Sequence, residues 1–516
     1  MESTSAAPVS TSTALRKRLA NALVQPVDAA SLAVFRFGFG SIVAWEVWRA
    51  FDGNLIRADY DLPTYLFRWW LFEWVRPLPG SLIYVAFGLL GVAAACLALG
   101  LFHRVAAATT FLGLTYWLLL DKSSYLNHRY LAGLFALLLF FVRADAAYSL
   151  DNIRRKSPRS RRLIPAWSLW LLRFQVGAPY FFSGISKLNF DWLFRAEPLK
   201  SALAQQTDFP VIGRFFESNA LAHVLAWGSA ALDCTVPFLL LHRRTRVPAF
   251  ALAIGFHFMN SRLFGIGIFP WMMIVGTSVF FDSDWPRRLA SSLRSPDNRL
   301  VRPVVTLGAL VGFAIGGFLP REFAIVQALS GAFGVGVLAF HLVPERIREG
   351  TQAQREEPPT PGRMLLGRTT AVLLTAWVAI QLLLPLRHFV IPGNVHWTEE
   401  GNRFAWHLLL RVKTARLAFI VEEPSTSKRW VEDLRQHLTP YQISKARLPD
   451  MILQFAHHLK GLYAAQGRDV EVRVEAVARL NGRPEQWFIF GNRDLTQISR
   501  PYIPPADWIE PLRPFH

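Results

Sequence analysis

The chain has 516 residues, of which 52% are hydrophobic, and it contains 18 Trp and 40 Phe. This composition is too apolar for a soluble protein of this length and is typical of a membrane protein with aromatic interfaces. The formal net charge of +19 does not indicate a nucleic-acid partner, because the basic residues lie mainly in short loops between apolar segments. We therefore expect the apolar segments of the chain to contact membrane lipid.

Eleven apolar segments have the length of a membrane-spanning helix, about 16–22 residues for a hydrocarbon layer of about 30 Å. The pair at 247–282 is compatible with two crossings or with a bent re-entrant unit, because its centre, FGIGIFPW, contains Gly and Pro. We therefore predict an α-helical polytopic membrane protein with about 9–11 spans. The segments lie near 31–50, 80–102, 104–120, 125–143, 165–187, 221–241, 247–262, 266–282, 302–319, 323–343 and 368–387.

Basic loops predict the orientation of these spans. If the N-terminus is cytoplasmic, RRKSPRSRR at 154–162, HRRTR at 242–246 and the other basic stretches all fall on the cytoplasmic side. Eleven spans then place the chain after residue 388 on the other side. We predict a multi-pass protein of the inner (cytoplasmic) membrane with a periplasmic, extracytoplasmic C-terminal domain.

Three regions follow from these patterns: a polar and basic N-terminal segment (1–27), a transmembrane domain (28–388) and an extracytoplasmic domain (389–516). The N-terminal segment lacks the apolar core of a cleavable signal peptide. Two mixed aromatic and charged segments, 51–79 and 188–220, are predicted to be interfacial helices on the outer leaflet.

The C-terminal region has the patterns of a small α+β or β-rich domain. ARLAFIVEE and DVEVRVEAVARL alternate between apolar and polar residues as strands do, and NGRPE supplies a turn before the strand QWFIF. The stretches SKRWVEDLRQHL and 448–466 are predicted to be helices.

Polar residues at the outer ends of the spans are the candidates for chemistry, because burying such residues in a membrane is costly. The predicted topology brings residues from distant segments into one layer beneath the C-terminal domain. They are Asp121, Asn127, His128, Lys187, His257, Asn260 and His388. No HExxH motif or regular histidine spacing indicates a metal site.

Each candidate also has a purely structural interpretation. Lys187 can be an anchor whose amine reaches the membrane interface. Asn127 and His128 can be a helix cap and an interfacial side chain, and His257 and Asn260, which share a helix face, can be hydrogen-bonding contacts between helices. Asp233, near the middle of the sixth span, can pair with an arginine such as Arg173.

Four motifs in order, DKSSYLNHRYLAGL, PYFFSGISKLNFDWL, FHFMNSRLFGIGIFPW and HFVIPGNVHWTEEGNRFAW, resemble the vitamin K-dependent γ-glutamyl carboxylases and, more broadly, the bacterial horizontally transferred transmembrane domain (HTTM) proteins. The resemblance runs from about residue 28 to the C-terminus. It implies that reduced vitamin K (phylloquinol or menaquinol) is oxygenated by O₂ to its epoxide. The strong base formed on the way removes a γ-proton from a glutamate of a protein or peptide substrate, and CO₂ captures the carbanion, without a metal.

The resemblance assigns the general base to Lys187 and the family's Asn–His pair to Asn127 and His128. A low-dielectric site favours the neutral form of an amine, and a neutral amine can accept a proton. Arg403 would hold a substrate carboxylate with both of its terminal nitrogens, unless it pairs with Glu399 or Glu400. The predicted residues for binding substrate and quinone are His257, Asn260, His388, Trp397, Arg403 and Trp406.

Two other functions stay open at this point. One is a quinone epoxidase or monooxygenase without glutamate carboxylation, and the other is a non-enzymatic membrane binding or assembly protein. Ser186 stands where animal carboxylases have a second lysine. Cys96 and Cys234 both lie in predicted spans, so the chain has no evident equivalent of the disulfide of those enzymes.

Overall fold

The computed structural model describes residues 20–156, 163–209, 212–295, 299–317, 324–348, 366–500 and 503–514. The N-terminal basic stretch LRKR and most of the polar linker between residues 348 and 366 lie outside these ranges. The described residues form a helical membrane domain and a C-terminal domain with a β-sheet, so the predicted fold class is confirmed.

Each of the eleven predicted spans contains a helix, and five of the helices are long and apolar enough to cross a membrane within the described residues. The first strand, β1 (Pro26–Asp28), pairs with β2 (Leu163–Pro165). The helices are α1 (Ala30–Asp52), α2 (Leu82–Leu99), α3 (His103–Leu120), α4 (Asn127–Phe141), α5 (Leu150–Arg154), α6 (Ala166–Lys187), α7 (Phe190–Arg195), α8 (Leu199–Leu203), α9 (Asn219–Leu241), α10 (Arg243–Leu263), α11 (Phe269–Thr277), α12 (Trp285–Arg294), α13 (Val301–Gly317), α14 (Ala324–Leu342), α15 (Glu345–Arg348) and α16 (Arg368–Leu386).

The helix ends that the basic loops assign to the cytoplasmic side lie close together on one face of the membrane domain. There, Arg287 donates to Asp28 at 2.7 Å and Arg246 donates to Asp282 at 3.1 Å. The β1–β2 pairing brings the residues before α1 next to residues 163–165, which directly precede α6. The C-terminal domain lies at the opposite face, where Asn127 at the start of α4 donates to the carbonyl of His407.

The pair of segments at 247–282 crosses the domain twice. Gly267, between α10 and α11, lies against His128 at the face that carries the C-terminal domain. The carbonyl of Ser283, after α11, accepts a hydrogen bond from the amide of Ser31 at the opposite face. All residues of α11 are buried in the protein, and this burial shields the backbone of a short, interrupted segment from lipid.

The C-terminal domain is a four-stranded antiparallel sheet, in the order β4–β3–β5–β6, with a helix packed on one face. The buried residues of β5 alternate along the strand, and they pack with the apolar side of α19, as the sequence pattern predicts. The elements are α17 (Val395–Thr398), β3 (Lys413–Glu423), β4 (Lys428–Val431), α18 (Pro440–Lys445), α19 (Pro449–Ala464), β5 (Glu471–Leu480) and β6 (Gln486–Phe490).

Two helix predictions are wrong. SKRWVEDLRQHL contains strand β4 and a single 3₁₀ turn, because residues 428–431 pair with residues 420–423 of β3 across a tight turn, and this pairing overrides the local helical pattern. In 51–79 the chain has one π-helical turn at Arg57–Asp61 and is then irregular. Pro63, Pro77 and Pro79 disfavour a helix there.

Candidate active site

Lys187 ends α6 in a buried position, where 4% of its surface is exposed. Its Nζ donates to Ser183 Oγ at 3.1 Å and forms an ion pair with the carboxylate of Asp233 on α9. Ser183 also donates to Asp233, at 2.9 Å, and it faces the same way as Lys187 because the two are one helical turn apart. The amine at the end of the span is therefore held in a polar cluster rather than extended to the interface.

Asp233 is the partner of this lysine, and the suggested pair of Asp233 with Arg173 is wrong. Arg173 instead donates to the carbonyls of Val279 and Phe281, at 2.9 and 3.0 Å, on the opposite face of the membrane domain. The sequence contained a signal for the true pair. A carboxylate inside a span requires a cation, and Lys187 is a cation at the end of another span.

Gly184 allows α6 and α9 to approach closely at this point. A Cβ atom on Gly184 would lie 2.6 Å from both the amide nitrogen and the sulfur of Cys234, the residue after Asp233. The small residue therefore permits the contact that places Asp233 beside Lys187.

Tyr180 connects the lysine-bearing face of α6 with His257 on α10. The hydroxyl of Tyr180 lies 2.5 Å from His257 Nε2, and both side chains are buried. Tyr180 precedes Lys187 by two helical turns, so both face the same side of α6. His257 Nδ1 is buried without a hydrogen-bond partner among the described residues. Asn260, one turn later on α10, is half-buried. The sequence analysis did not single out Tyr180.

Asn127 and His128 lie at the start of α4 but face different neighbours. Asn127 Nδ2 donates to the carbonyl of His407 at 3.2 Å, and its Oδ1 accepts from the Tyr125 hydroxyl at 3.0 Å. His128 is buried against Gly267, where an added Cβ would lie 2.8 Å from the imidazole ring. Gly267 has a φ of +59°, so both backbone conformation and space favour glycine.

Three histidines lie together directly above this layer. The rings of His388 and His407 are 4.5 Å apart, and those of His396 and His407 are 5.6 Å apart. Burial, followed by the charge of Arg411, lowers the pKa of His396 to about 4, and burial also lowers the pKa of His407. These two imidazoles are therefore neutral near pH 7. His388 thus lies with the C-terminal domain rather than beside Lys187.

Arg403 already has a carboxylate partner in the structure. It contacts both oxygens of Asp450, at 2.7 and 3.3 Å, and Lys122 binds the same carboxylate at 2.8 Å. Burial opposes ionisation of Asp450, but the charges of Arg403 and Lys122 hold its pKa below the usual range. Glu399 pairs with Arg411 at 2.6 Å, so the predicted alternative pairing of Arg403 with Glu399 is not the one that forms.

The two predicted tryptophans have structural contacts. Trp397 is buried in the core of the C-terminal domain, where its indole N–H donates to the carbonyl of Glu510 at 2.7 Å. Trp406 is buried at the junction of the two domains, with its ring 5.1 Å from that of Tyr130 on α4. Trp406 therefore packs between the C-terminal domain and α4, whereas Trp397 supports the C-terminal domain.

A second connection between the domains begins four residues after Lys187. Asp191 on α7 accepts from both terminal nitrogens of Arg483, at 2.5 and 2.6 Å, and from Asn481 at 3.0 Å. The two partners lie in the β5–β6 turn of the C-terminal domain. The lysine and this domain are therefore joined through one short helix.

Comparison with known families gives two matches that together cover most of the chain. An HTTM domain matches residues 24–285, just over half of the 516 residues, and a vitamin K-dependent gamma-carboxylase, lumenal domain, matches residues 367–514. The chain belongs to the vitamin K-dependent gamma-carboxylase family. No solved structure matches it.

The polar groups of this carboxylase-family protein suit a hydroquinone, which has two hydroxyl groups on an apolar ring. Buried nitrogens of Lys187, His128 and His257 occur in a layer that also contains the polar groups of Ser183, Asp233 and Tyr180, and Phe269 lies 6.1 Å from the His257 ring. In the described part of the chain, no group of three or more His, Cys, Asp or Glu side chains is arranged to hold a metal ion. Cys96 and Cys234 are free and lie in α2 and α9.

Proposed function

We propose that this protein is a vitamin K-dependent γ-glutamyl carboxylase that couples epoxidation of reduced vitamin K to carboxylation of glutamate in a protein or peptide. The observation that carries the proposal is the buried cluster of Lys187, Ser183 and Asp233 beneath the lumenal-type domain. The basic loops favour an inner-membrane protein with a cytoplasmic N-terminus and a periplasmic C-terminal domain.

Lys187 would act as the general base toward a hydroquinone hydroxyl. In the structure its ammonium pairs with Asp233, so Nζ would first pass a proton to the Asp233 carboxylate. The neutral amine would then accept the hydroxyl proton, which leaves Lys187 as the ammonium and Asp233 as the carboxylic acid. Ser183 contacts both groups and keeps the amine in place. With O₂, the bound hydroquinone supplies the strong base that the γ-proton of glutamate requires. The low-dielectric layer keeps water away from that chemistry.

The remaining predicted residues would bind and orient the reactants around the lysine. His128, His257 and Asn260 line the membrane layer and can donate hydrogen bonds to quinone oxygens. Asn127 joins this layer to the C-terminal domain, and Trp406 packs against Tyr130 of α4 at the same junction. His388 would border the route by which a peptide reaches the layer.

Arg403 and Lys122 both bind the carboxylate of Asp450, so the three side chains together carry one net positive charge. Arg403 would attract a substrate carboxylate through this net charge. Its terminal nitrogens already contact Asp450, so a substrate carboxylate would approach the group as a whole rather than replace this partner. Trp397 would contribute by holding the C-terminal domain in shape.

Transfer of isotopically labelled carbon tests the full reaction. The purified protein in detergent is given reduced vitamin K, O₂, labelled bicarbonate and a glutamate-containing peptide, with a glutamine-substituted peptide as the matched control. We expect label in the γ-carboxyl group of the glutamate peptide alone. Epoxide without label would mean a quinone epoxidase, and neither product from folded protein would favour a binding or assembly role.

A further inference from the structure

The irregular segment between α1 and α2 exposes a contiguous group of large apolar side chains. In the stretch WWLFEWV at 69–75, four such side chains have 40–76% of their surface exposed. Single exposed apolar residues are ordinary, but a contiguous group of them indicates a surface that contacts a partner or a membrane. This apolar tip consists of Trp70, Leu71, Phe72 and Trp74.

The backbone of the tip is fixed, although its side chains are exposed. The amide of Phe72 donates to the carbonyl of Trp69 at 3.1 Å, and the amide of Val75 donates to the carbonyl of Phe72 at 3.0 Å. Arg68 donates to the carbonyl of Val75 at 2.7 Å. Leu71 has a φ of +66°, a left-handed conformation that costs a leucine about 1–2 kcal/mol. The fold therefore holds the tip in one conformation against local strain.

Contacts with α3 place this segment at the end of the membrane domain that carries the C-terminal domain. The indole N–H of Trp69 donates to the carbonyl of Leu118 at 2.9 Å, in the last turn of α3. The Tyr116 hydroxyl donates to the carbonyl of Arg76 at 3.1 Å and accepts from the amide of Leu78 at 3.0 Å. Because α3 ends four residues after Tyr116, this contact lies about 6 Å inside the end of the helix.

An apolar row on α2 continues into the tip. Its four residues are 52–62% exposed and recur every three or four positions, so they lie on one face of the helix. On a membrane-spanning helix such a face contacts lipid. Leu78, which is 42% exposed, connects this row with the tip. The residues of the row are Leu82, Val85, Leu89 and Val92.

The polar contacts of the segment are made with the C-terminal domain. Glu73, between Phe72 and Trp74, lies 3.5 Å from Arg500. The ring of Trp69 lies 5.5 Å from that of Phe404, and the guanidinium of Arg403 lies 5.6 Å from the Trp69 ring. The segment therefore has an exposed apolar side and a side bound to the C-terminal domain, which is the division typical of an element at a membrane interface.

We propose that the apolar tip inserts into the bilayer leaflet on the side of the C-terminal domain and anchors this domain at a fixed height above the membrane domain. Lipid is the partner that fits, because the tip is continuous with a helix face that lies in the bilayer. Tryptophan suits the boundary between headgroups and acyl chains, since its ring is apolar and its N–H is polar. The expected depth of insertion is about 5–10 Å.

Depth-dependent fluorescence quenching tests the insertion. In the full-length protein, the half-buried native cysteines are removed by Cys96→Ala/Cys234→Ala, and a dye is attached to a single new cysteine, Trp70→Cys or Trp74→Cys. Each protein is placed in nanodiscs whose lipids carry a quencher at the headgroup, in the upper acyl chain or at the chain end. Iodide in the buffer measures exposure to water, and a thermal melt of each variant checks its folding.

Two further dye positions calibrate the measurement. Val92→Cys lies on the exposed face of α2, and Ser425→Cys lies in the exposed turn between β3 and β4. The dye at Val92→Cys should be quenched most by the chain-end label, and the dye at Ser425→Cys should be quenched by iodide alone.

We expect the dyes at both tip positions to be quenched most by the label in the upper acyl chain and little by iodide. Quenching by iodide alone, as at Ser425→Cys, would overturn the proposal. Protection from iodide and from all lipid quenchers would also overturn it, because this result would indicate a second copy of the chain or another protein as the partner.

Hydrogen exchange tests the anchoring. Trp70→Asp/Trp74→Asp should withdraw the tip from the leaflet, because a carboxylate is costly there, and should accelerate exchange of the amides at 402–406, which include the neighbours of Trp69. The control Val431→Asp places a carboxylate at an exposed position of β4 and should leave this exchange unchanged. Wild-type exchange in the folded double variant would contradict the anchoring role. Neither experiment involves hydroquinone or glutamate, so both are independent of the proposed function.

Discussion

The carboxylate of Asp233 pairs with the ammonium of Lys187, although the two residues lie 46 positions apart on different membrane helices. The side chains are 3% and 5% exposed, so neither charge has water as an alternative partner. Each charge therefore depends on the other for its stability, and any test of the lysine's chemistry has to separate the loss of function from the loss of the pair.

Lys187→Met should destabilise the protein by about 3 kcal/mol, because it leaves the buried carboxylate of Asp233 without a cation. Lys187→Met/Asp233→Asn should recover much of this stability but none of the hydroquinone turnover. Apparent melting temperatures in detergent and epoxide yields of the same preparations check both points. Equal melting temperatures for wild type and both variants would show that the pair is energetically unimportant.

Gly184→Ala should disturb the active site without removing any polar group. The added methyl group would overlap the backbone of Cys234, and relief of that overlap moves α9 away from Lys187. We expect a destabilisation of about 1–3 kcal/mol and a loss of hydroquinone turnover. The matched control is Gly228→Ala on α9, where an added Cβ meets no atom within 4 Å. If both variants are as active as wild type, the close helix contact does not position the lysine.

Arg483→Met should weaken the connection between α7 and the C-terminal domain. It removes two charge-assisted hydrogen bonds to buried Asp191, which retains Arg195 and Asn481, so the expected cost is about 2 kcal/mol. Arg416→Met removes an exposed ion pair with Glu485 and should cost at most about 0.5 kcal/mol. Hydrogen exchange in the β5–β6 turn should accelerate in the first variant and not in the second. The same exchange rate in both would contradict a coupling role.

Stability should fall with acidification before the carboxylates titrate. Burial lowers the pKa of His396 in the folded protein to about 4, below the ordinary value of about 6.5, so the unfolded chain binds the proton more tightly. The contribution of a neutral His396 is therefore fully present above about pH 6.5 and is lost progressively toward pH 4, up to about 3 kcal/mol.

His396→Leu should flatten this part of the stability profile, measured as the melting temperature between pH 7.5 and 5. His242→Leu, which replaces an exposed histidine on the opposite face, is the control. An unchanged slope in His396→Leu would show that His396 does not carry the pH dependence.

Sequence patterns alone predicted the helices and strands that depend only on the periodicity of neighbouring residues. Apolar segments of membrane-spanning length became helices, and the alternating pattern of DVEVRVEAVARL became β5, because burial on one side or on all sides follows directly from such patterns. The helix expected at SKRWVEDLRQHL was overridden by pairing with β3, which is a contact between strands that local periodicity does not report.

The sequence predicted that the polar site residues lie at one level of the membrane domain, but it did not predict which side chains contact one another. Charge in the loops placed the polar residues at one level of the membrane domain. The partners of Lys187 and Arg403 depend on how helices and domains pack, and Asp233 and Asp450 are 46 and 47 positions away from them. Tyr180 was missed because a tyrosine in an apolar span is usually an ordinary packing residue until its neighbour, here His257, is known.

The most direct test of the central claim is epoxide formation from reduced vitamin K by the purified protein in detergent. Wild type is compared with Lys187→Ala, with Lys187→Met/Asp233→Asn as a variant that keeps the buried charges balanced, and with Lys200→Ala as a lysine control from α8. We predict epoxide from wild type and from Lys200→Ala, and none from either Lys187 variant. Epoxide at the wild-type rate from a folded Lys187 variant would contradict the assignment of Lys187 as the base.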